Sequence, residues 1–230
     1  MPRYRTILFD ADQTLLDFKR SERAALCEAL SEMGVCADEE MLKKYSEINS
    51  ATWKRLERGE ITKNDLKTVR FAEFCAYYGL SLDVAALAQN YLASLATQSF
   101  LLEGALQVCR TLAQHCELFI ITNGIDSVQH GILDASPIRP CFKDVFISDE
   151  LGAEKPEKAF FDKVAQSIPG FDPRNALVVG DSLTSDIRGG IAAGIDTCWL
   201  NIANTQAPCD MQITYIINRL EDVLPLILGA

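Results

Sequence analysis

Apolar and polar positions follow two rhythms along the chain. Ile7, Leu8 and Phe9 form a short unbroken apolar run, the pattern of a strand buried on both faces. After Leu16 the spacing of apolar residues changes to three and four, and it stays helical to about Ala96. Ser21 is placed to cap a first helix carrying Ala25, Leu26, Ala29, Leu30 and Met33, with Gly34 at its end. Asp38 starts a second, with Met41, Leu42, Tyr45, Ile48, Thr52, Trp53 and Leu56, which Gly59 breaks. Thr62 and Asp65 make a capping box for a third, with Leu66, Val69, Phe74 and Tyr77, closed by Gly79. Asp83 opens a fourth, with Val84, Leu87, Ala88, Tyr91, Leu92 and Leu95.

From Phe100 strand and helix alternate. Helices are expected over 104–113 and 128–133, from near Glu157, and across the paired glycines Gly189 and Gly190. Strands are expected at 118–121, 145–147, 176–179, 197–200 and 215–217, with a helix to finish. Repeated strand–helix units predict an α/β fold with a doubly wound parallel sheet. Four consecutive helices inside such a chain read as a separate layer. The expected division is therefore a catalytic core of residues 1–16 and 98–230 and an inserted helical cap of residues 17–97.

Composition narrows the class. A chain of 230 residues, 48% hydrophobic, can bury a sizeable core. No apolar run approaches the 18 or so residues that span a bilayer, and acids in the first apolar stretch argue against a secretory leader. Eight cysteines without a Cys-x-x-Cys pair suit reduced thiols in a cytoplasmic protein. The net charge of −10 would repel a nucleic-acid polymer, so a phosphorylated partner should be a small metabolite met by local cations. Oligomeric state is not encoded in these patterns.

Polar residues at four strand ends supply the candidate chemistry, because ligands of parallel sheets gather beyond the carboxyl ends of the strands. Asp10 and Asp12 follow the first strand; two acids that close need a cation or a shared proton, although Asp also serves ordinary turns. As a catalytic pair, Asp10 attacks a phosphoryl group and Asp12 transfers the proton. Thr122 and Asn123 can donate to phosphate oxygens, or simply form an Asn-Gly turn. Lys155, held extended before Pro156, can neutralise the nucleophile or be a solvated lysine. Asp181 is a third oxygen ligand suited to Mg²⁺, and Asp186 either orients Lys155 or caps a helix.

Asp10-x-Asp12-x-Thr14, Thr122, Lys155-Pro156 and Gly180-Asp181-x4-Asp186 together resemble the four motifs of the haloacid dehalogenase-like hydrolase superfamily, over essentially the whole chain. The resemblance implies a Rossmann-like core, an Asp10 nucleophile, and Mg²⁺ held by the Asp10 side chain, the Asp12 backbone carbonyl and Asp181. Gln13 departs from it, since many members have Gly there. Asp12 favours phosphoryl transfer, because the dehalogenases themselves lack this second acid. Phosphonate-cleaving relatives use a cap lysine, for which Lys54, Lys63 and Lys67 offer no obviously apolar setting.

Asn49-x3-Trp53, Gly59-x-Ile61-Thr62, Arg70 and Cys198-Trp199-Leu200-Asn201 resemble a bacterial subgroup of pyrimidine 5′-nucleotidases. In that setting Trp53 would stack on a base, Asn49 would bond a base edge, and Arg70 would reach phosphate or sugar. Trp53 also lies on an apolar stripe and could be core. The expected function is a Mg²⁺-dependent phosphatase of nucleoside 5′-monophosphates. The alternatives are a phosphatase or mutase for sugar phosphates and other small metabolites, or a phospho-accepting receiver protein. His115 and His130 match no motif and read as surface or turn residues.

Overall fold

The computed structural model describes residues 2–229. The first apolar run becomes β1 (Thr6–Phe9), followed by helices α1 (Phe18–Glu32), α2 (Glu39–Glu57), α3 (Lys63–Tyr78) and α4 (Val84–Leu95). Then come α5 (Ala105–Leu112), β2 (Glu117–Thr122), α6 (Asp126–Asp134), β3 (Phe142–Ile147), α7 (Ser148–Leu151), α8 (Lys158–Ser167) and β4 (Ala176–Gly180). A π-helical turn, Leu183–Ile187, runs into α9 (Arg188–Ala192) before β5 (Asp196–Leu200), β6 (Tyr215–Ile217) and α10 (Val223–Leu228).

The strands form one parallel sheet in the order β3-β2-β1-β4-β5-β6. All four residues of β1 are buried, as the unbroken apolar run requires. The order reverses between β1 and β4, which is where a doubly wound sheet opens a crevice. Register aligns Phe9 with Ile120 of β2 and Val179 of β4, so Asp10 emerges level with the ends of both neighbours.

The chain divides into two compact units, Met1–Asp17 with Ser99–Ala230, and Phe18–Gln98. The points where the chain leaves and rejoins the sheet unit are stitched together. Leu16 bridges Leu101 in antiparallel sense, Asp17 N donates to Phe100 O at 2.9 Å, and Leu102 N donates to Leu15 O at 2.9 Å.

In the helical unit, Asp38, Thr62 and Asp83 each cap a helix with their side chains, and Thr62 with Asp65 closes a capping box. Ser21 does not cap α1, which begins three residues earlier; its hydroxyl donates instead to Gln98 O at 3.2 Å. The buried stripe of α3 also differs from the expected one. Leu66, Arg70, Phe71, Phe74 and Cys75 are buried, whereas Tyr77 is 59% exposed. An arginine takes a core position here because partners accept it. Arg70 Nη1 donates to Asn49 Oδ1 at 2.7 Å, and Asn49 Nδ2 donates to Glu22 Oε1 at 2.7 Å. The guanidinium also lies 5.1 Å from the ring centroids of Phe71 and Tyr91. Those rings join Tyr45 and Phe74 in one aromatic cluster, with Tyr45 stacked on Phe71 at 5.2 Å.

This packing can be tested in both units. Phe71→Ala should destabilise the helical unit by about 3–5 kcal/mol, whereas Tyr77→Ala should stay within about 0.5 kcal/mol, as read by urea unfolding. In the sheet unit, His130 of α6 holds Glu150 of α7 at 2.8 Å and Asp126 at 3.2 Å. The bond to Glu150, helped by the charges of Asp126 and Asp134, raises the imidazole pKa above its usual value. A raised histidine stabilises fully below its unfolded pKa of about 6.5, and the benefit fades as pH climbs through the folded value. Melting of His130→Ala should therefore fall below wild type at pH 5.5 and match it at pH 9.

Candidate active site

Four strand ends converge on one ammonium group. Lys155 Nζ donates to Asp10 Oδ1 at 2.7 Å, to Asp186 Oδ1 at 2.7 Å and to Ile121 O at 2.8 Å, so all three of its protons are used. The lysine is 3% exposed. Burial alone would push its pKa down; Asp10 and Asp186 more than reverse that and raise it. Thr14 Oγ1 donates to the other Asp10 oxygen at 2.9 Å, which fixes the carboxylate at both ends.

Local sequence explains how Lys155 and Asp186 arrive. Asn123 clamps the Lys155 backbone: its Nδ2 donates to Lys155 O at 2.8 Å, and its Oδ1 accepts from Lys155 N at 2.8 Å. The Asn123 amide is thereby engaged at both ends. The Lys155–Pro156 peptide is cis. Thr122 is buried, and its hydroxyl oxygen accepts from Gly124 N at 3.0 Å. On β4, a Cβ at Gly180 would lie 2.3 Å from Asp186 Oδ2, so glycine there lets Asp186 fold back over the strand end. Ser182 N donates to that same Oδ2 at 3.1 Å.

Carboxylate oxygens of Asp10, Asp181 and Asp186 lie within 4.8 Å of one another. Trp199 Nε1 donates to Asp181 O at 2.9 Å and steadies the loop that carries it. Burial first, then the charge of Asp10, raises the pKa of both Asp181 and Asp186, and Lys155 opposes the shift. Asp186 is raised despite its lysine because burial and Asp10 outweigh that single bond. Asp12 is pushed to about 7 by burial and Asp10, against Gln129 and Lys155. Four acids thus crowd one ammonium, which bonds two of them. This oxygen-rich, electron-rich donor set fits a hard divalent cation, whose charge would draw the acids back down.

The second metal-capable group among the described residues, Asp126, His130 and Glu150, is exposed or half-buried and already ion-paired, so His130 sits at the surface as expected. Gln13, where the resemblance expects Gly, has φ of +61°, the left-handed region that glycine enters without strain. In the helical unit, Asn49 and Arg70 lie in the buried network already described, and Trp53 is half-buried on α2. Arg70 keeps Nε and Nη2 without a hydrogen-bond partner among the described residues. All eight cysteines are free. No helix among the described residues is long and apolar enough to cross a membrane.

Two further contacts come from residues to which the sequence assigns no role among the acids. Gln129 Nε2 donates to Asp12 Oδ2 at 2.8 Å, and Trp199 reaches Asp181. A buried glutamine on the inner face of the helix expected at 128–133 is the available signal for the first. The second has none beyond the Cys198-Trp199 motif.

Known proteins resemble this chain in sequence and fold. Residues 4–194 match the family model for haloacid dehalogenase-like hydrolase. The chain is 40% identical to pyrimidine 5′-nucleotidase PynA of Streptococcus pneumoniae, over 96% of this chain and 94% of that protein. It is 30% identical to pyrimidine 5′-nucleotidase YjjG of Escherichia coli, over 96% of each. A magnesium-bound crystal structure of the HAD-hydrolase YfnB of Bacillus subtilis superposes with a TM-score of 0.92 at 37% identity, covering 96% of this chain and 97% of that one. A family match across the strand ends that carry the aspartates and the lysine, joined to relatives aligned almost end to end, makes the chain a member of the haloacid dehalogenase-like hydrolases.

Proposed function

We propose that the protein is a Mg²⁺-dependent phosphatase of nucleoside 5′-monophosphates, pyrimidine nucleotides above all and modified ones included, working through an aspartyl-phosphate on Asp10. The observation that supports the chemistry is the ammonium shared at 2.7 Å by Asp10 and Asp186 at the switch point of the sheet. It holds Asp10 in place at the crevice while neutralising its charge.

In this reading an Asp10 oxygen attacks phosphorus, the ester P–O bond breaks, and the departing alkoxide takes a proton from Asp12. Water then attacks the same phosphorus, gives its proton to Asp12, and frees phosphate from Asp10. Thr122, the Asn123 N–H and Lys155 would meet the phosphoryl oxygens, Lys155 by exchanging one of the three bonds its protons already make. The Asp10 and Asp181 carboxylates and the Asp12 carbonyl would hold Mg²⁺, with Asp186 orienting Lys155. When bound, Mg²⁺ supplies positive charge that offsets the phosphoryl oxygens and the crowded acids.

Nucleotides are the proposed substrates because two relatives carry nucleotidase names, and substrate choice is assigned to the inserted helical cap, residues 17–97. Trp53 is the base-stacking candidate. Asn49 bonds Glu22 and Arg70 already, so it and Arg70 serve a substrate by extending or exchanging those bonds. A net charge of −10 favours a small substrate over a polymer.

Asp10→Asn should lower phosphate release from UMP or dUMP by at least about 10³-fold, and removal of Mg²⁺ by a chelator should do the same reversibly. Undiminished release by Asp10→Asn would overturn the assigned nucleophile. Steady-state comparison of dUMP, dTMP and UMP with hexose phosphates should favour the nucleotides. Trp53→Ala should raise KM about 5- to 100-fold for them and leave p-nitrophenyl phosphate unchanged, since stacking contributes about 1–3 kcal/mol per base. Equal effects on both substrates would sink the stacking role.

A further inference from the structure

Resting on the phosphatase reading above, we propose that Gln129 is the positioning residue for Asp12, holding its carboxyl group so that one oxygen alone is left to exchange a proton with the leaving group and with water. Gln129 lies on α6, is 2% exposed, and donates from Nε2 to Asp12 Oδ2 at 2.8 Å. Asp12 Oδ1 is buried and has no hydrogen-bond partner among the described residues. A buried carboxylate oxygen left without a partner is costly and rare outside functional sites. The amide therefore gives the two oxygens of Asp12 different roles. Oδ2 is anchored, and Oδ1 is kept free for the reacting atoms.

The glutamine is itself built in. A Cβ on Gly124 would lie 2.4 Å from Gln129 Nε2 and 2.6 Å from its Cγ, so the glycine after Asn123 clears the path along which the side chain reaches Asp12. Gln129 Oε1 is buried and likewise has no partner among the described residues. An amide with one unanchored end can turn over, presenting Nε2 to a carboxylate or Oε1 to a carboxylic acid. Asp12 passes through both forms in each turnover, and a glutamine can support either. A lysine or a glutamate at this position would favour one form.

A residue that acts through Asp12 should matter where a proton must move and nowhere else. Departure of the nucleoside alkoxide needs a proton, whereas p-nitrophenolate leaves without one. The test compares the Mg²⁺-loaded wild type with Gln129→Met, close in size to glutamine, and with Gly124→Ala, which displaces the amide without removing it. Thermal melts report folding. For both variants, kcat on UMP should fall about 10- to 100-fold with KM within about threefold, a part of the roughly 10²–10⁴-fold that positioned proton transfer supplies, since Asp12 itself remains. In rapid mixing with p-nitrophenyl phosphate, the first release of p-nitrophenolate should keep its wild-type rate. Turnover should then slow, leaving a burst that approaches one product per enzyme, because water attack on the aspartyl-phosphate still needs Asp12. Unchanged kcat on UMP, or an equal loss in the burst rate, overturns the role of Gln129. Inactive wild type, or an active Asp10→Asn, overturns the phosphatase reading and this assignment with it. A dead Asp10→Asn beside an unaffected Gln129→Met overturns the assignment alone.

Discussion

A single ammonium group, withdrawn from water, sets the geometry of the sheet's open end. Lys155 arrives after β3 and bonds Asp10 after β1, Ile121 on β2 and Asp186 after β4. Each strand end is thereby referred to the same point, and a shift in any one disturbs the other three. Burying a charge costs several kcal/mol, and an ion pair recovers that only with near-ideal contacts and complete hydrogen bonding. Here every lysine proton has an acceptor at 2.7–2.8 Å, which is the condition under which such burial is tolerable. A stable arrangement without substrate is what electrostatic preorganisation requires, since groups already oriented need not reorganise during reaction.

The acids around it show the opposite side of that balance. Asp12, Asp181 and Asp186 all hold protons more tightly than ordinary carboxylates, because burial and mutual repulsion outweigh the lysine. Structural salt-bridge networks tend to balance their charges; this one is short of positive charge. Two glycines, 124 and 180, give up side chains so that Gln129 and Asp186 can approach their targets, which puts the steric demands of the site into the backbone sequence itself.

Much of the fold was legible because each strand is a short apolar run ending in a polar residue, and the parallel six-stranded sheet appears where those runs predicted it. Helix caps at Asp38, Thr62 and Asp83 were readable for the same local reason: a side chain three residues from its target declares itself. What stayed hidden was long-range. The stripe of α3 departs from expectation because an arginine has the character of a surface residue, and nothing local announces that Asn49 and Glu22, 21 and 48 positions away from Arg70, would accept it. Ser21 is not a cap because α1 starts earlier and its hydroxyl turns to Gln98. At the strand ends, residue types pointed to the chemistry and to Lys155 meeting Asp10 and Asp186, but the other bonds that orient these groups did not appear in any spacing. Asn123 clamping a lysine backbone and Gln129 reaching across 117 residues to Asp12 are products of tertiary structure.

The stitched junction at Leu16 and Leu101 has an evolutionary consequence. Because the two connections run side by side and bond each other, whatever lies between them is a detour that begins and ends at nearly the same place. A detour of that kind can be lengthened, shortened or exchanged without asking the sheet to move. Phe18–Gln98 can thus be rewritten while Asp10, Lys155 and their partners stay untouched.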